Sequence, residues 1–186
     1  MFDSVQVYQP SDDTYLLAAA AMEEARPEDR VIEIGTGSGY VSSVVQPRVC
    51  SLVATDLNPL AVLAARSRGI EVVRTDLAQG ICGTFSLVLF NPPYLPTRPE
   101  ERIDDWLEHA LDGGPEGRTI IERFAREAGA ILAPNGRILL LVSSLTGIDA
   151  VRAIFRDEGM RSEVARTQTL EDGEELVVLR ITAQFW

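Results

Sequence analysis

The residues Asn91-Pro92-Pro93-Tyr94 end an apolar run at 87–90 and carry groups that could take part in chemistry. Two consecutive prolines end a β-strand, because proline fixes its own φ angle and has no backbone N–H to donate. The carboxamide of Asn91 and the carbonyl of Pro92 are then held as rigid hydrogen-bond acceptors, and the ring of Tyr94 offers an aromatic surface. The motif contains no acid, base or strong nucleophile. It therefore indicates a site that positions a reacting group, not a site that supplies a nucleophile.

A glycine-rich turn follows the first predicted strand, in the sequence VIEIGTGSGY. Gly35, Gly37 and Gly39 allow the backbone to turn sharply and to approach a ligand closely. Their G-x-G-x-G spacing differs from the G-x-G-x-x-G spacing of dinucleotide-binding proteins. Taken alone, the turn is also compatible with a purely structural role.

Three acidic residues lie at or near the ends of the first three predicted strands: Glu33, Asp56 and Asp76. A carboxylate at the end of the second strand can accept hydrogen bonds from both ribose hydroxyls of a nucleoside, as it does in NAD-binding proteins. Asp76, at the end of the third strand, is placed to hold an adenine amine. Any one of these acids could be a helix cap or a surface residue. Three of them beside a glycine-rich turn predict a cofactor that contains a nucleoside.

Alternating strand and helix patterns position these motifs. Strands that are apolar on both faces, as in a parallel sheet covered by helices, are predicted at 30–35, 51–56, 70–76, 85–91 and 137–144. Helices are predicted after an N-cap at Ser11 and at 40–47, 58–69, 117–133 and 147–159. Two alternating runs around the sequence EDGE predict an antiparallel hairpin. The predicted fold class is therefore α/β, with a doubly wound, seven-stranded, mostly parallel sheet and a C-terminal antiparallel hairpin, in a single domain over residues 1–186. The segment 92–116 is predicted to be a functional loop.

The composition argues against several other classes of protein. The net charge is −11 and all 17 basic residues are arginine, which fits either a salt-adapted or GC-rich source or an acidic face for a basic partner. Nucleic-acid binding usually needs a basic patch and is disfavoured. The apolar run LLAAAAM is too short to span a bilayer, so we expect neither a membrane helix nor a signal peptide. Cys50, Cys82 and the single His109 lack the spacing of a metal site or disulfide framework, so we expect no metal in this chain and a cytoplasmic location.

Taken in order, these motifs resemble the class I S-adenosylmethionine-dependent methyltransferases over nearly the whole chain. Two further stretches are similar to segments of the small HemK-like glutamine methyltransferases of archaea and eukaryotes. VYQPSDDTYLL (7–17) resembles that family's V-Y-x-P-x-x-D-T-x-L-L opening, and LDGGPEGRTIIERF (111–124) resembles the G-G-x-x-G-x-x-x-x-x-R-F segment that follows its NPPY motif. Bacterial relatives carry an additional N-terminal helical domain, which we expect to be absent here because the match begins at Tyr8.

The resemblance implies S-adenosylmethionine as the cofactor and S-adenosylhomocysteine as its product. Thr14 is then expected near the methionine end of the cofactor, Asp56 at the ribose, and Asn91 in contact with both cofactor and substrate. The cofactor-binding residues implied in this way are Thr14, Glu33, Gly35, Gly37, Asp56, Leu57, Asp76, Leu77 and Asn91, of which Asp76 and Leu77 hold the adenine. The catalytic residues are expected to be Asn91, Pro92 and Tyr94. Tyr15 and Tyr40 are expected only to pack.

The implied reaction is methyl transfer to the side-chain amide of the glutamine in the Gly-Gly-Gln motif of a class I translation release factor. An amide nitrogen is a poor nucleophile, because its lone pair is delocalised into the carbonyl. Asn91 and the Pro92 carbonyl are placed to accept its two N–H bonds, and Tyr94 to pack over the planar group, so catalysis would rest mainly on proximity and orientation. Three alternatives stay open: methylation of an adenine amine in nucleic acid, methylation of a protein lysine, and a non-catalytic scaffold.

The third predicted strand is expected at an edge of the sheet, in the strand order usual for this fold. Ile70, Val72 and Val73 give it high β-propensity, and its charged residues protect it only modestly from association. A neighbouring loop could cover such an edge. The resemblance favours a partner instead, because small members of the family form heterodimers with a small zinc-binding activator protein. We therefore expect a partner that carries the zinc and extends the sheet by backbone pairing at 70–74.

Overall fold

In the computed structural model, which describes residues 6–97 and 105–184, the chain forms a seven-stranded sheet flanked by helices. The strands are β1 (Arg30–Ile34), β2 (Ser51–Asp56), β3 (Val72–Arg74), β4 (Phe85–Phe90), β5 (Leu132–Ser143), β6 (Met160–Thr169) and β7 (Glu175–Ala183). The helices are α1 (Asp12–Glu24), α2 (Tyr40–Val45), α3 (Pro59–Ser67), α4 (Trp106–His109), α5 (Thr119–Ile131) and α6 (Ile148–Asp157). The first five strands run parallel, and β7 pairs antiparallel with β5 and β6. The order β3-β2-β1-β4-β5-β7-β6 confirms the predicted fold class and hairpin.

Two hydrophobic clusters cover the two faces of the sheet, and side-chain alternation along the strands divides the residues between them. In β1, Ile32 and Ile34 join the cluster that contains residues of α5 and α6, whereas Val31 joins the cluster formed with α1, α2 and α3. Successive side chains of a strand point to opposite faces. Glu33 therefore faces the same side as Val31, toward α2, and this direction decides which groups surround its carboxylate.

Several boundaries differ from the sequence prediction. Strand β3 covers only Val72–Arg74 of the predicted 70–76, and β5 begins at Leu132 rather than at residue 137. The sequence Pro-Asn-Gly within β5 is typical of a turn. Here it continues the strand irregularly instead, with Asn135 at a φ of 61°. Ser11 precedes α1 as predicted, although its side chain makes no capping hydrogen bond.

The structure also differs from the prediction at the edge of the sheet and in the long loop after β4. Strand β3 does lie at an edge, but Ile70 and Val72 are buried and only Val73 is exposed, at 39%. The predicted exposed apolar edge is therefore wrong for two of its three side chains, because they point into the cluster beneath α3. The loop after β4 contains the short helix α4, which the sequence did not predict. Within 6–97 and 105–184, no helix combines the length and apolar character needed to cross a bilayer.

Candidate active site

A cleft opens at the carboxyl ends of the parallel strands. The strand order reverses between β1 and β4, since β2 and β3 lie to one side and β5 to the other. Loops leaving two such strands diverge and create the crevice where ligands bind to α/β sheets. All of the sequence-predicted site residues line this cleft: Thr14, Glu33, Gly35, Gly37, Asp56, Leu57, Asp76, Leu77, Asn91, Pro92 and Tyr94.

The glycine-rich turn after β1 requires glycine for its backbone conformation and for one close contact. Gly35, Gly37 and Gly39 all have φ angles in the left-handed region, at 64°, 54° and 78°. A Cβ on Gly39 would lie 2.9 Å from Cα and Cβ of Ala65 in α3, so the turn could not pack there with any other residue. The backbone N–H of Gly37 donates to Asp56 at 2.8 Å, which ties the turn to the end of β2.

The carboxylate of Asp56 is held by backbone groups on both of its oxygens. Oδ2 accepts the N–H of Gly37, and Oδ1 accepts the N–H of Asn58 at 2.8 Å. Burial raises the pKa of Asp56 from its ordinary value, against the effect of these hydrogen bonds. A carboxylate has about four acceptor positions, so these backbone donors leave it capacity to bind a ligand hydroxyl.

Glu33 is a deeply buried acid of the cleft, with 4% of its surface exposed. Its Oε2 accepts the hydroxyl of Thr36 at 2.7 Å, the N–H of Ser42 at 3.0 Å and the hydroxyl of Ser42. Burial raises its pKa to about 7 in spite of these donors, and the nearby charge of Asp56 adds to the rise. The carboxylate is thus fixed in position while its charge is poorly stabilised by the protein.

Asp76 and Leu77 lie just after β3, which ends at Arg74 rather than at the predicted residue 76. Asp76 forms a salt bridge with Arg123 of α5 at 2.6 Å, and both side chains are about one-third exposed. Leu77 has a φ of 50°, which is uncommon for a residue with a side chain and marks a backbone held by its surroundings. Arg123 and Phe124 form the R-F pair of the 111–124 segment. That pair braces the cleft, because Phe124 packs against Phe90 with ring centroids 4.9 Å apart.

Asn91 follows Phe90 at the end of β4. Its carboxamide oxygen is buried and has no hydrogen-bond partner among the described residues. Leaving a buried acceptor unpaired costs about 1–3 kcal/mol, so such atoms call for a functional explanation. The oxygen belongs to a residue that lines the cleft, where a ligand N–H can satisfy it.

Tyr94 is held from behind by the glycines of the 111–124 segment. Gly117 has a φ of 70°, and a Cβ on it would lie 2.4 Å from the carbonyl oxygen of Tyr94. The N–H of Leu95 donates to the carbonyl of Leu111 at 3.1 Å, and the N–H of Gly113 donates to the carbonyl of Leu95 at 3.0 Å. The G-G-x-x-G spacing therefore lets one loop press against the Asn-Pro-Pro-Tyr turn and fix its backbone.

Sequence reasoning missed several residues that line the cleft: Tyr8, Asp13, Trp106 and His109. Tyr8 and Asp13 belong to the VYQPSDDT opening, which identified a family segment but gave no contact for either residue. Trp106 and His109 lie on α4 with ring centroids 5.6 Å apart, and a helix of four residues gives no periodic signal. Tyr15 and Tyr40 lie outside the cleft lining and pack edge to face at 5.3 Å, as predicted.

No model of a known protein family matches the chain. It is 35% identical over 167 residues to a protein of Methanocaldococcus jannaschii assigned as a protein N5-glutamine methyltransferase, covering 86% of this chain and 84% of the relative. It is 34% identical over 194 aligned positions to the methyltransferase HEMK2 of Mus musculus, covering 95% of this chain and 89% of the relative. Among solved structures it superposes on a chain of the E. cuniculi Mtq2–Trm112 complex, which is responsible for methylating the translation termination factor eRF1. The TM-score is 0.80 and the identity 28%, over 96% of this chain and 99% of that chain.

Proposed function

Since the chain belongs to the family of HEMK2 and the protein N5-glutamine methyltransferases, we propose that it uses S-adenosylmethionine to methylate the side-chain amide of a glutamine. The substrate is the Gly-Gly-Gln glutamine of a class I translation release factor, in keeping with the action of the similar Mtq2–Trm112 complex on eRF1. A single observation carries this proposal. Asn91 lines the cleft, and its carboxamide oxygen is buried and unpaired among the described residues. A release-factor substrate would place the reaction in the cytoplasm.

The polar groups of the cleft fit the proposed cofactor. The Asp56 carboxylate is assigned to the ribose hydroxyls, and Asp76 with the left-handed Leu77 is assigned to the adenine. When bound, S-adenosylmethionine supplies a methyl group activated by the adjacent sulfonium charge. The other residues assigned to this ligand are Thr14, Glu33, Gly35, Gly37 and Leu57.

The Asn-Pro-Pro-Tyr turn is assigned to the substrate amide. The oxygen of Asn91 and the carbonyl of Pro92 accept its two N–H bonds, which directs the nitrogen lone pair away from the turn. Tyr94 packs over the planar amide group. Because the Gly117 loop fixes the backbone of the turn, these acceptors are aligned before the substrate binds.

The transfer needs positioning more than acid–base catalysis. A bond forms between the amide nitrogen and the methyl carbon as the carbon–sulfur bond breaks, and the sulfur keeps the electron pair. The nitrogen then loses one proton to water, leaving N-methylglutamine and S-adenosylhomocysteine. The nitrogen becomes acidic only as it is methylated, so no strong base is required. Proximity and orientation can lower such a barrier by about 7–11 kcal/mol.

Two other acceptors of the methyl group fit the cleft less well. The exocyclic amine of adenine presents the same pair of N–H donors, but a net charge of −11 opposes binding to phosphates. A lysine ammonium must first lose a proton, and the Asn-Pro-Pro-Tyr turn provides no base for that step.

The direct test is mass spectrometry of a release factor after incubation with the protein and isotopically labelled S-adenosylmethionine. We expect one labelled methyl group on the glutamine of the Gly-Gly-Gln peptide. A release factor with that glutamine replaced by glutamate is the control and should stay unlabelled. Label on lysine, on added DNA or RNA, or on no acceptor at all would contradict the proposed function.

We also propose that a small zinc-carrying protein binds the β3 edge and extends the sheet at 70–74, as a heterodimer. The solved relative is itself a complex, of Mtq2 with Trm112. Three of the exposed large hydrophobic residues lie on β3, on α3 or directly after β2: Val73, Leu63 and Leu57. This edge is also connected to the proposed cofactor site. The side chain of Arg74 on β3 donates to the carbonyl of Leu57, which lines the cleft, at 3.1 Å.

Coexpression tests the partner. The chain alone should aggregate or bind the cofactor weakly, and a partner of this type should restore both properties. Val73→Asp, which puts a charge on the exposed face of β3, should weaken the heterodimer, whereas Val164→Asp on the opposite edge strand is the matched control. Full activity of a monodisperse lone chain would overturn the idea, as would hydrogen exchange at 70–74 that does not slow with the partner.

A further inference from the structure

Asp13, on the first turn of α1, is a buried carboxylate at the cleft with 3% of its surface exposed. Its Oδ1 accepts the N–H of Thr14 at 2.5 Å and the hydroxyl of Thr14 at 3.1 Å. Its Oδ2 accepts the hydroxyl of Tyr8 at 2.7 Å and that of Tyr94 at 3.3 Å. One carboxylate therefore links a residue assigned to the cofactor with the ring assigned to the substrate.

The link to Asp13 completes a clamp on Tyr94. At its backbone, Tyr94 lies close against Gly117, because a Cβ added to Gly117 would come within 2.4 Å of the Tyr94 carbonyl oxygen. At the other end of the side chain, its hydroxyl donates to Asp13. With both ends held, the plane of the ring is fixed between α1 and the loop that contains Gly117. A ring that must pack over a planar amide needs this restraint.

The charge of Asp13 also points to a role beyond packing. None of the ion pairs between described residues includes Asp13, although burying an unpaired carboxylate is costly. Burial, with the negative charge of Asp13, raises the pKa of both Tyr8 and Tyr94 above the ordinary value. Both hydroxyls therefore stay protonated at neutral pH and keep donating to the carboxylate.

We propose that Asp13 is a positioning residue for methyl transfer, which orients the Tyr94 ring against the substrate amide while holding Thr14 on the cofactor side. The inference rests on the proposed function, since it assigns Tyr94 to the substrate. The competing role is structural: Asp13 would merely stabilise the first turn of α1 through its bonds to Thr14. The two roles differ in what a substitution changes, namely the rate of transfer or the stability of the fold.

Asp13→Asn tests the proposal, with Asp12→Asn as the matched control. Asparagine keeps the size and one acceptor of Asp13 but replaces the second oxygen with a donor, which cannot accept the tyrosine hydroxyls. Asp12 is the exposed neighbour, and its carboxylate accepts a hydrogen bond from the Gln168 side chain at 3.2 Å. We expect Asp13→Asn to lower kcat about tenfold or more, with KM and cofactor affinity changed less than about threefold. Asp12→Asn should behave as the wild type.

A double-mutant cycle with Tyr94→Phe identifies the path of the effect. If Asp13 acts through the Tyr94 hydroxyl, the double variant should be no slower than the slower single variant. Multiplying effects on kcat would overturn the proposal, and so would an Asp13→Asn variant that loses stability but keeps kcat. Should Asp13→Asn fail to fold, Tyr94→Phe alone decides: unchanged kcat overturns the proposal, and reduced kcat with unchanged cofactor affinity supports it.

A measurement without substrate separates this inference from the proposed function. The chain has four tyrosines, so ring-labelled tyrosine gives few NMR signals, and Tyr94→Phe identifies that of Tyr94. Asp13→Asn should shift this signal and speed the flipping of the ring, whereas Asp12→Asn should leave it unchanged. An unaltered Tyr94 signal in Asp13→Asn would refute the clamp. Wild-type protein that shows the clamp but transfers no methyl group to glutamine would refute the proposed function instead.

Discussion

The two ends of the sheet both bury charged groups, and they do so in opposite ways. At the amino-terminal end of the strands, Arg137 donates to both oxygens of Asp29, at 3.1 and 2.8 Å. The hydroxyl of Ser86 and the N–H of Arg26 donate to the same carboxylate, at 2.7 and 2.8 Å. Arg137 also donates to the carbonyls of Ser86 and Glu24. Every charge in this amino-terminal cluster therefore has a partner within the chain.

The carboxyl-terminal end holds the cleft, where Arg123 pairs with the partly exposed Asp76, but the more deeply buried acids have no cationic partner among the described residues. None of the ion pairs between described residues includes Glu33, Asp56 or Asp13. Their hydrogen bonds come from neutral backbone amides and hydroxyls, and the oxygen of Asn91 has none within the described residues. The polar groups at this end are held in place, but they are left incompletely satisfied.

The pKa values follow this difference. Burial alone would raise the pKa of Asp29, but hydrogen bonds from Arg137, Ser86 and Arg26 outweigh it and lower the pKa below the ordinary value. Burial raises the pKa of Glu33 to about 7 and also raises that of Asp56. Asp29 and Glu33 stand at opposite ends of the same short strand, roughly 15 Å long. A charged carboxylate therefore stabilises the fold at the amino-terminal end of the strands and destabilises it at the carboxyl-terminal end. There, hydrogen bonds from a ligand can compensate for its burial.

Arg137→Met should show the largest effect, because it removes the cation of the amino-terminal cluster and leaves Asp29 buried without it. Breaking a buried ion pair in this way costs about 3–5 kcal/mol. We expect that loss in the free energy of unfolding measured with denaturant, while the cofactor affinity of the folded fraction stays unchanged. Arg180→Met is the matched control, since Arg180 also pairs with Glu24 but is 39% exposed. That control should lose less than about 1 kcal/mol. Equal losses in the two variants would remove the contrast between the ends of the sheet.

At the cleft, Glu33→Gln should change the stability of the fold with pH in the direction opposite to a substitution of Asp29. The folded state binds the Glu33 proton more tightly than the unfolded chain, because burial raises the pKa from 4.5 to about 7. The stability of the wild type should therefore fall as the pH rises from about 4.5 through about 7. The stability of the variant relative to the wild type should rise over this window by on the order of 3 kcal/mol.

Asp29→Asn should give the opposite result when its unfolding stability is measured as a function of pH. Because the pKa of Asp29 is lowered from 3.8, its charge stabilises the fold above that value, and the stabilisation is lost as the pH falls through the folded pKa. The variant should be less stable than the wild type at neutral pH, with the difference shrinking below pH 3.8. Parallel pH profiles for the Glu33 and Asp29 variants would contradict the comparison.

Asn91→Ala removes the unpaired oxygen of the cleft and should affect transfer rather than folding. Its acceptor orients the substrate amide, so we expect kcat for glutamine methylation to fall by on the order of a hundredfold. The free energy of unfolding should change little, because the lost oxygen has no partner among the described residues. Turnover is measured with labelled cofactor and cofactor affinity by calorimetry. Near-normal turnover of this variant on a Gly-Gly-Gln substrate would exclude the role.

The cleft could be predicted from the sequence because its residues follow strand ends. In a parallel sheet the carboxyl ends of all strands meet at one edge, so Glu33, Asp56, Asp76 and Asn91 had to converge once the strands were recognised. The direction of side chains on a short edge strand could not be predicted in this way. Val72 turned inward because α3 covers it, although its sequence pattern matches that of an exposed edge.

The amino-terminal cluster gave no sequence signal at all. Arg137 and Asp29 are 108 positions apart, and nothing in their flanking residues marks them as partners. The clamp on Tyr94 is similar, since Asp13 lies 81 positions before it. Periodicity and strand ends locate groups along the chain, whereas pairs of this kind depend on how helices and loops pack across the sheet.

Asp56→Ala is the smallest of these effects and tests whether the cleft carboxylates are kept for a ligand. Removing a charged hydrogen-bond partner of the ribose should weaken S-adenosylmethionine binding about tenfold, measured by calorimetry. The substitution also removes the acceptor of the Gly37 and Asn58 amides, so some stability is lost, but less than in Arg137→Met because no buried cation is stranded. Asp12→Ala, at an exposed position outside the cleft lining, controls for the loss of one negative charge. If affinity were unchanged while stability fell as far as in Arg137→Met, Asp56 would belong with the structural acids of the other end.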